Sequence, residues 1–179
     1  RDEFEIDGEI LDPRTPLASA GHAFNARYVN GVQVATSGPL TYWVDASTGS
    51  DDNSGLSILA PFQTIQAAID RAPTIMGADV TIHVAPGTYP EQVRLYDRSF
   101  RGDATISIIG DGPGVRVTGE FARSSAFEIR DVKSFVLEDL ELVDTTSYNL
   151  RLLDSTGTVR GCTLTTSAGQ PASGYGALI

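Results

Sequence analysis

The sequence has few of the residues that define several common protein classes. Cys162 is the only cysteine among 179 residues, which excludes an internal disulfide. It alternates with Val159 and Leu164, and this pattern predicts an unreactive core thiol. No apolar run reaches the roughly 20 residues that a membrane-spanning helix needs, and the sequence does not open with a basic and then apolar signal segment. We therefore expect no membrane span.

Basic residues are also scarce. Thirteen Lys and Arg stand against 23 Asp and Glu, which gives a net charge of −10. A nucleic-acid backbone would be repelled, so nucleic acid is not an expected partner. The two histidines, His22 and His83, lie in unrelated segments without a second ligand at metal spacing, and we interpret both as surface residues.

Residues 1–40 differ in composition from residues 41–179, and we predict an amino-terminal arm joined to one larger domain. The Asn30-Gly31 pair between two apolar pairs predicts a hairpin in the arm. An arm of this length is too short to bury its own core, so we expect another subunit or protein to cover its apolar residues. The residues predicted to dock or to oligomerise are Leu17, Phe24, Tyr28 and Val32.

A polar loop follows a predicted strand over residues 41–45. Carboxylate and amide oxygens in and beside this loop are suitable ligands for Ca²⁺, the one cofactor that the sequence suggests. Their spacing does not match the calcium loop of helix-loop-helix proteins, so the capping of turns by these side chains is the favoured interpretation. The candidate residues are Asp45, Asp51, Asp52 and Asn53.

Apolar residues at three- and four-residue spacings predict a helix over residues 64–72, which Pro73 ends. Apolar residues then recur at a nearly constant interval. Ile82, Ile106, Ile129 and Leu152 are 24, 23 and 23 positions apart. Two further series, one through Val93, Val115, Val136 and Val159 and one pairing Leu140 with Cys162 and Leu142 with Leu164, have steps of 21 to 23. This repetition predicts a β-solenoid with three strands in each coil, and the helix covers its first coil.

The leucine-rich repeat is the competing interpretation. Leu137, Leu140 and Leu142 match part of its signature. The next coil carries Val159, Cys162 and Leu164 at the same positions without the required Asn, and the intervening segments are rich in Thr and Gly. The sequence therefore favours the β-solenoid.

Several motifs resemble the amino-terminal part of right-handed parallel β-helix proteins, a group that includes pectin methylesterases, polysaccharide lyases and bacteriophage tail spikes. The resemblance implies an all-β fold, a right-handed parallel β-helix with three strands per coil, an amino-terminal capping helix and an extended arm. The motifs are Trp43-Val-Asp45, Pro61-Phe-x-Thr-Ile-x-x-Ala-Ile69, Val84-x-x-Gly-Thr-Tyr-x-Glu91 and Ile109-Gly-Asp-Gly112.

The methylesterase resemblance does not extend to the catalytic residues. Residues 135–142 and 159–164 resemble the coils around that family's active site, but Ser147-Tyr-Asn149 stands where the family has a glutamine. The nucleophilic Asp and the later Arg have no counterpart before Ile179. Without groups to attack an ester and to hold its oxyanion, we expect no methylesterase activity in this segment.

Outward carboxylates face arginines one coil away. Glu128 and Arg151 are 23 positions apart, and Glu138 and Arg160 are 22 apart. We interpret both as ion pairs that keep neighbouring coils in register. The alternative is that these four residues face a bound saccharide.

The resemblance and the arm together favour a structural component of a phage tail, either a tail spike or a minor tail protein. We expect it to dock to other virion proteins through its arm, to form a homotrimer and to recognise a polysaccharide of the host surface. The alternative is the amino-terminal part of an extracellular polysaccharide-degrading enzyme with its active site beyond Ile179, because Tyr175-Gly-Ala-Leu-Ile179 resembles a strand that enters another coil. A bacterial surface adhesin is the third, less favoured, possibility.

Overall fold

The computed structural model describes residues 38–119, 125–144 and 148–166, together with the backbone of four short strands earlier in the chain. Side chains are described for residues 38–119, 125–143 and 148–165. In chain order the elements are β1 (Phe4–Ile6), β2 (Glu9–Leu11), β3 (Tyr28–Val29), β4 (Val32–Gln33), β5 (Leu40–Val44), α1 (Ile65–Arg71), β6 (Ile75–Met76), β7 (Val80–Val84), β8 (Gly87–Tyr89), β9 (Val93–Phe100), β10 (Ile106–Gly110), β11 (Val115–Thr118), β12 (Phe127–Val132), β13 (Phe135–Glu138), β14 (Glu141–Asp144), β15 (Leu150–Leu153), β16 (Gly157–Arg160) and β17 (Thr163–Thr166).

The first four strands form two antiparallel pairs. Tyr28 pairs with Gln33 and Val29 with Val32, which confirms the predicted hairpin. The β1–β2 pair, in which Phe4 faces Leu11, was not predicted, because the acidic composition of this segment hides its short apolar alternation.

The other strands form three parallel sheets, which together make a β-solenoid of about three turns. The first sheet has the order β16-β13-β10-β7-β5, the second β17-β14-β11-β8 and the third β15-β12-β9-β6. From β7 onward the chain visits the first, second and third sheets in turn and then returns to the first. The predicted parallel solenoid is therefore confirmed.

The predicted register of the early coils is wrong, because the coils differ in length. Val80, Ile106, Phe135 and Gly157 are successive partners in the first sheet, and they are 26, 29 and 22 positions apart. Ile106 thus pairs with Val80 rather than with Ile82. Both longer predicted series also joined residues of different sheets. Ile129 lies in the third sheet, although its series begins in the first. Val93 lies in the third sheet, whereas Val115, the next residue of its series, lies in the second.

Strict alternation of side chains builds the core. In β7 the residues Val80, Ile82 and Val84 are fully buried, while the residues between them are partly exposed. Strand β10 repeats this pattern with Ile106 and Ile108. Alternation with a period of two directs one face of each strand to the interior, so stacked strands produce a continuous apolar core.

Helix α1 matches the prediction closely. Its amino-terminal cap is Thr64, whose hydroxyl accepts a hydrogen bond from the Ala67 amide, and its last turn ends at Ala72. The Glu91 carboxylate accepts hydrogen bonds from the backbone N–H groups of Ile65 and Gln66, at 2.8 and 2.9 Å. These N–H groups have no partner within a helix, so Glu91 satisfies them and complements the helix dipole. The Gly-Thr-Tyr-x-Glu motif thus positions the helix.

Aspartates adopt a left-handed backbone conformation at the same level of three stacked strands. Asp97, Asp131 and Asp154 have φ values of 50, 55 and 48°. Asp97 and Asp131 occupy equivalent positions of β9 and β12, and Asp154 follows Leu153, the partner of Arg130. Aspartate tolerates this left-handed conformation better than most residues, so the same residue type occupies this position in successive coils.

Candidate functional site

The two predicted Glu–Arg pairs lie on different sheets. Glu128 is the partner of Arg151 across β12 and β15 of the third sheet. Glu138 is the partner of Arg160 across β13 and β16 of the first sheet. Both predicted registers are confirmed, but the four residues do not form one site.

The Glu138–Arg160 pair is an exposed ion pair. Arg160 donates a hydrogen bond of 2.7 Å to the Glu138 carboxylate, and the side chains are 23% and 61% exposed. This hydrogen bond holds the pKa of Glu138 below its ordinary value and raises that of Arg160. Solvent screens such a pair, and a role in coil register is sufficient to explain it.

The same pair ends a longer row on the first sheet, which we call the Trp43 row. Five consecutive partners form it, namely Trp43, His83, Ile109, Glu138 and Arg160. The rings of Trp43 and His83 stack with centroids 4.6 Å apart and an interplanar angle of 18°. His83 Nδ1 also lies 2.6 Å from the Asp111 carboxylate. His83 is thus a surface residue, as predicted, with an aromatic and an acidic partner that the sequence did not reveal.

Glu128 has a different environment. Its side chain is only 8% exposed, although it points away from the core. Arg94 on β9 and Arg151 on β15 are its two cross-strand partners, and Arg130 lies two residues along its own strand. Arg130 donates a hydrogen bond of 2.9 Å to one carboxylate oxygen, and Arg151 lies 3.7 Å from the other. Long guanidinium side chains therefore cover this carboxylate.

Tyr96 completes the arrangement. The Arg130 guanidinium lies over the Tyr96 ring, 5.0 Å from its centroid. Burial raises the pKa of the Tyr96 hydroxyl, and its hydrogen bond to Glu128 raises this pKa further. We call this group the arginine face. Its members are Arg94, Tyr96, Glu128, Arg130 and Arg151.

A depression of about 420 Å³ adjoins the arginine face, where α1 meets β9. Its lining includes Arg94 and Tyr96 of that face, together with Gln66, Asp70, Gln92 and Arg98. Gln66 links α1 to β9 at this depression. Its side-chain amide accepts a hydrogen bond of 2.7 Å from the backbone N–H of Arg94 and donates one of 2.8 Å to the Asp70 carboxylate. Arg98 donates to the carbonyl oxygens of Ile69 and Tyr96, and burial lowers its pKa.

A second depression, of about 550 Å³, lies at the corner between the first and second sheets. Backbone and glycines form much of it, and its ionisable side chains are the acids Asp139 and Glu141. Arg116 lies 3.5 Å from Glu141 and partly neutralises it. The arginine face offers more donors, so we take it as the candidate site.

The predicted calcium ligands serve mainly as turn caps. Asp45 accepts hydrogen bonds from the backbone and hydroxyl groups of Ser47 and Thr48. These hydrogen bonds, above all that of the Ser47 hydroxyl, lower the pKa of Asp45 to about 2. Asp51 accepts from the N–H groups of Gln63 and Thr64, both at 2.9 Å, and so ties the loop to the start of α1.

The remaining loop residues do not converge on a common point with these carboxylates. The Asn53 amide donates to the Pro61 carbonyl oxygen at 2.8 Å, and Asp52 is exposed. In the part of the chain with described side chains, no three His, Cys, Asp or Glu residues are grouped so as to hold a metal ion. Calcium binding by this loop stays a prediction.

Other predicted residues are partly or wholly outside the described structure. Leu17 and Phe24 lie outside the described residues, and for Tyr28 and Val32 only the backbone is described. Cys162 packs against the core, and burial raises the pKa of its thiol, which favours the unreactive protonated form. None of the helices in the described ranges is long and apolar enough to cross a membrane.

Comparison of the sequence with protein-family models and with the curated proteins finds no match. The residues of the arginine face and the fold that positions them are therefore the basis for a functional assignment.

Proposed function

We propose that the protein recognises a polysaccharide of the host surface through the arginine face, as the amino-terminal part of a phage tail spike or minor tail protein. Residues 1–40 dock to other virion proteins, and residues 41–179 project as a β-helix. The location is the virion tail, and the motif resemblance described above supports this setting.

One observation carries the proposal, namely the row of guanidinium groups beside an aromatic ring on a rigid parallel sheet. Arg94, Glu128 and Arg151 occupy one row across three adjacent strands, which are spaced at about 4.8 Å. Side chains on strands are held more precisely than side chains on loops. Such a row can donate several hydrogen bonds to the closely spaced oxygens of successive sugar rings.

The finer architecture belongs to the same proposal. Three strands make each coil, which is supported by the order in which the chain visits the sheets. The helix α1 is the amino-terminal cap, since its residues Ile65 and Ile69 are fully buried beside β5, the last strand of its sheet. The coils are right-handed, as parallel crossover connections nearly always are.

Trimer formation is supported by an exposed apolar segment in the loop before α1. Leu56, Ile58 and Leu59 are 57%, 66% and 92% exposed. Apolar side chains in this arrangement are suited to burial between symmetry-related copies. The mass of the 179-residue chain in solution tests this part of the proposal, because a monomer at micromolar concentration would contradict it.

An extracellular polysaccharide-degrading enzyme remains the second candidate. Val159 and Leu164 are 38% and 40% exposed, although they pair with the buried core residues Leu137 and Leu142. Further coils that cover them are a suitable location for an active site. Release of reducing sugar from the polysaccharide by the full-length protein would favour this candidate.

Retention of the protein on immobilised surface polysaccharides from a panel of bacteria tests the recognition function. We expect at least one polysaccharide to retain the protein and Arg130→Ala to reduce this retention. Arg160→Ala, which removes an arginine from the first sheet, is the matched control and leaves retention unchanged. Equal losses in both variants, or no retention on any polysaccharide, would contradict the proposal.

A further inference from the structure

We infer that the ligand of the arginine face is an acidic saccharide, whose carboxylate, sulfate or phosphate oxygens bind Arg130 and Arg151. This inference rests on the proposed function, since it names the chemical class of the polysaccharide that the same face takes. It depends on three properties of the arginine face: the arginine N–H donors that no internal partner occupies, the local net charge and the fixed position of the Arg130 guanidinium.

The guanidinium groups have more donors than Glu128 can satisfy. Each arginine has five N–H donors, and a carboxylate has about four acceptor positions. Of Arg130 and Arg151, only Arg130 lies within hydrogen-bond distance of Glu128, at 2.9 Å, because Arg151 is 3.7 Å away. The Arg130 and Arg151 side chains are 45% and 40% exposed, so part of each is accessible to a ligand.

The charge of this face is opposite to that of the chain. Three arginines, Arg94, Arg130 and Arg151, surround the single acid Glu128, which gives a formal net charge of +2 against −10 for the whole chain. A basic patch on an acidic protein attracts an anionic group locally, while the remaining surface repels it. A neutral sugar gains no electrostatic attraction from this net charge.

The Arg130 guanidinium is held in place before a ligand binds. Arg130 is fixed by its hydrogen bond to Glu128 and by the Tyr96 ring beneath it. The Nε atom of Arg151 is buried and has no hydrogen-bond partner among the described residues. Planar guanidinium groups match the oxygen spacing of carboxylate, sulfate and phosphate, and fixing them in advance lowers the entropic cost of binding.

Calorimetric titration with hyaluronan oligosaccharides, dextran sulfate and unmodified dextran tests the inference and separates carboxylate from sulfate recognition. We expect one or both acidic saccharides to bind at least about tenfold more tightly than dextran, and this preference to shrink as salt is added. Affinity for dextran equal to or above that for both acidic saccharides would overturn the inference.

The Arg151→Gln and Arg160→Gln variants form a matched pair, because each removes the arginine from one Glu–Arg pair between neighbouring coils. Arg151→Gln should weaken binding of the preferred acidic saccharide about tenfold, and Arg160→Gln should leave it unchanged. A similar loss in both variants would show that overall charge, and not the arginine face, attracts the ligand.

Impaired folding would also reduce binding, and the Glu128→Gln variant controls for this effect because its expected change is tighter binding. This variant removes the internal anion that competes for Arg130, so we expect tighter binding of the acidic saccharide by several-fold. Unchanged or weaker binding by the folded variant would overturn the inference.

Binding of neutral dextran that Arg130→Ala abolishes would overturn the inference while leaving the proposed recognition function intact. Failure of all saccharides to bind, including the bacterial polysaccharides, would overturn both.

Discussion

The arginine face and the Trp43 row both contain a Glu–Arg pair that joins neighbouring coils, yet the two pairs differ in every other respect. Glu128 is 8% exposed and lies among three arginines and a tyrosine. Glu138 is 23% exposed, and its cross-strand neighbour on the other side is Ile109. The same spacing in the sequence therefore produces a covered cluster on one sheet and an exposed ion pair on another.

The difference shows that register and solvent exposure are separate properties of such ion pairs. The register decides which residues are neighbours, and in both pairs it places the glutamate opposite an arginine one coil away. The neighbours on the adjoining strand then decide how strongly water screens the pair. A carboxylate that arginines cover interacts with them at a lower effective dielectric constant, so its removal has larger consequences.

Replacement of the two glutamates by alanine is the strongest test of this contrast. Glu128→Ala leaves Arg130 and the Tyr96 hydroxyl without their acceptor and Arg151 without its ion-pair partner, and we expect the free energy of unfolding to fall by about 2 kcal/mol. This value is below that of a fully buried pair, because the arginines are 40% to 45% exposed. Urea denaturation measures the change. Glu138→Ala should lower the midpoint only slightly, because solvent screens its ion pair, and equal shifts in the two variants would remove the distinction between the faces.

Tyr96→Phe sharpens the comparison within the arginine face. The substitution removes the hydroxyl that hydrogen-bonds Glu128 but keeps the ring beneath Arg130. We expect a loss of about 1 kcal/mol in the free energy of unfolding, as for other single hydrogen bonds. Adding Tyr96→Phe to Glu128→Ala should cost much less than Tyr96→Phe alone, since the partner is already absent. Additive losses would show that the hydroxyl stabilises the fold by another contact.

The smallest expected effect concerns the pH dependence of the Trp43 row. The lowered pKa of Glu138 means that its charged form stabilises the folded protein above the ordinary glutamate pKa of 4.5. This contribution disappears as the pH falls below 4.5 and through the lowered value. Urea midpoints measured from pH 6 to pH 3 should therefore decline slightly less steeply for Glu138→Gln than for the unchanged chain. A steeper decline for the variant would mean that the pair does not hold the carboxylate in its charged form.

Much of the fold could be predicted from the sequence, because local signals specify it. The helix of residues 64–72 has the expected apolar spacing and the capping Thr64, and the hairpin has its Asn30-Gly31 signal. Steps of 22 and 23 residues are correct for the last coils, where they bring Glu138 to Arg160 and Glu128 to Arg151. In these coils the connections between strands are short, so apolar positions repeat regularly.

The arginine face itself could not be predicted in full, because its members come from coils of unequal length. Val93 and Phe127 are partners although 34 positions separate them, whereas Phe127 and Leu150 are 23 apart. A constant repeat therefore could not bring Arg94 and Tyr96 beside β12. The stacking of Trp43 on His83 was missed for the same reason, since their 40-residue separation includes the polar loop and α1.

The central claim is that the arginine face binds the polysaccharide and that the Trp43 row does not. Arginine Nε–H signals in ¹H–¹⁵N NMR spectra report on each guanidinium separately, and a chain of 19.0 kDa suits this measurement. During titration with the preferred saccharide, we expect the signals of Arg94, Arg130 and Arg151 to shift and saturate together, while that of Arg160 stays in place. A shift of the Arg160 signal equal to theirs, or shifts confined to Arg160, would contradict the claim.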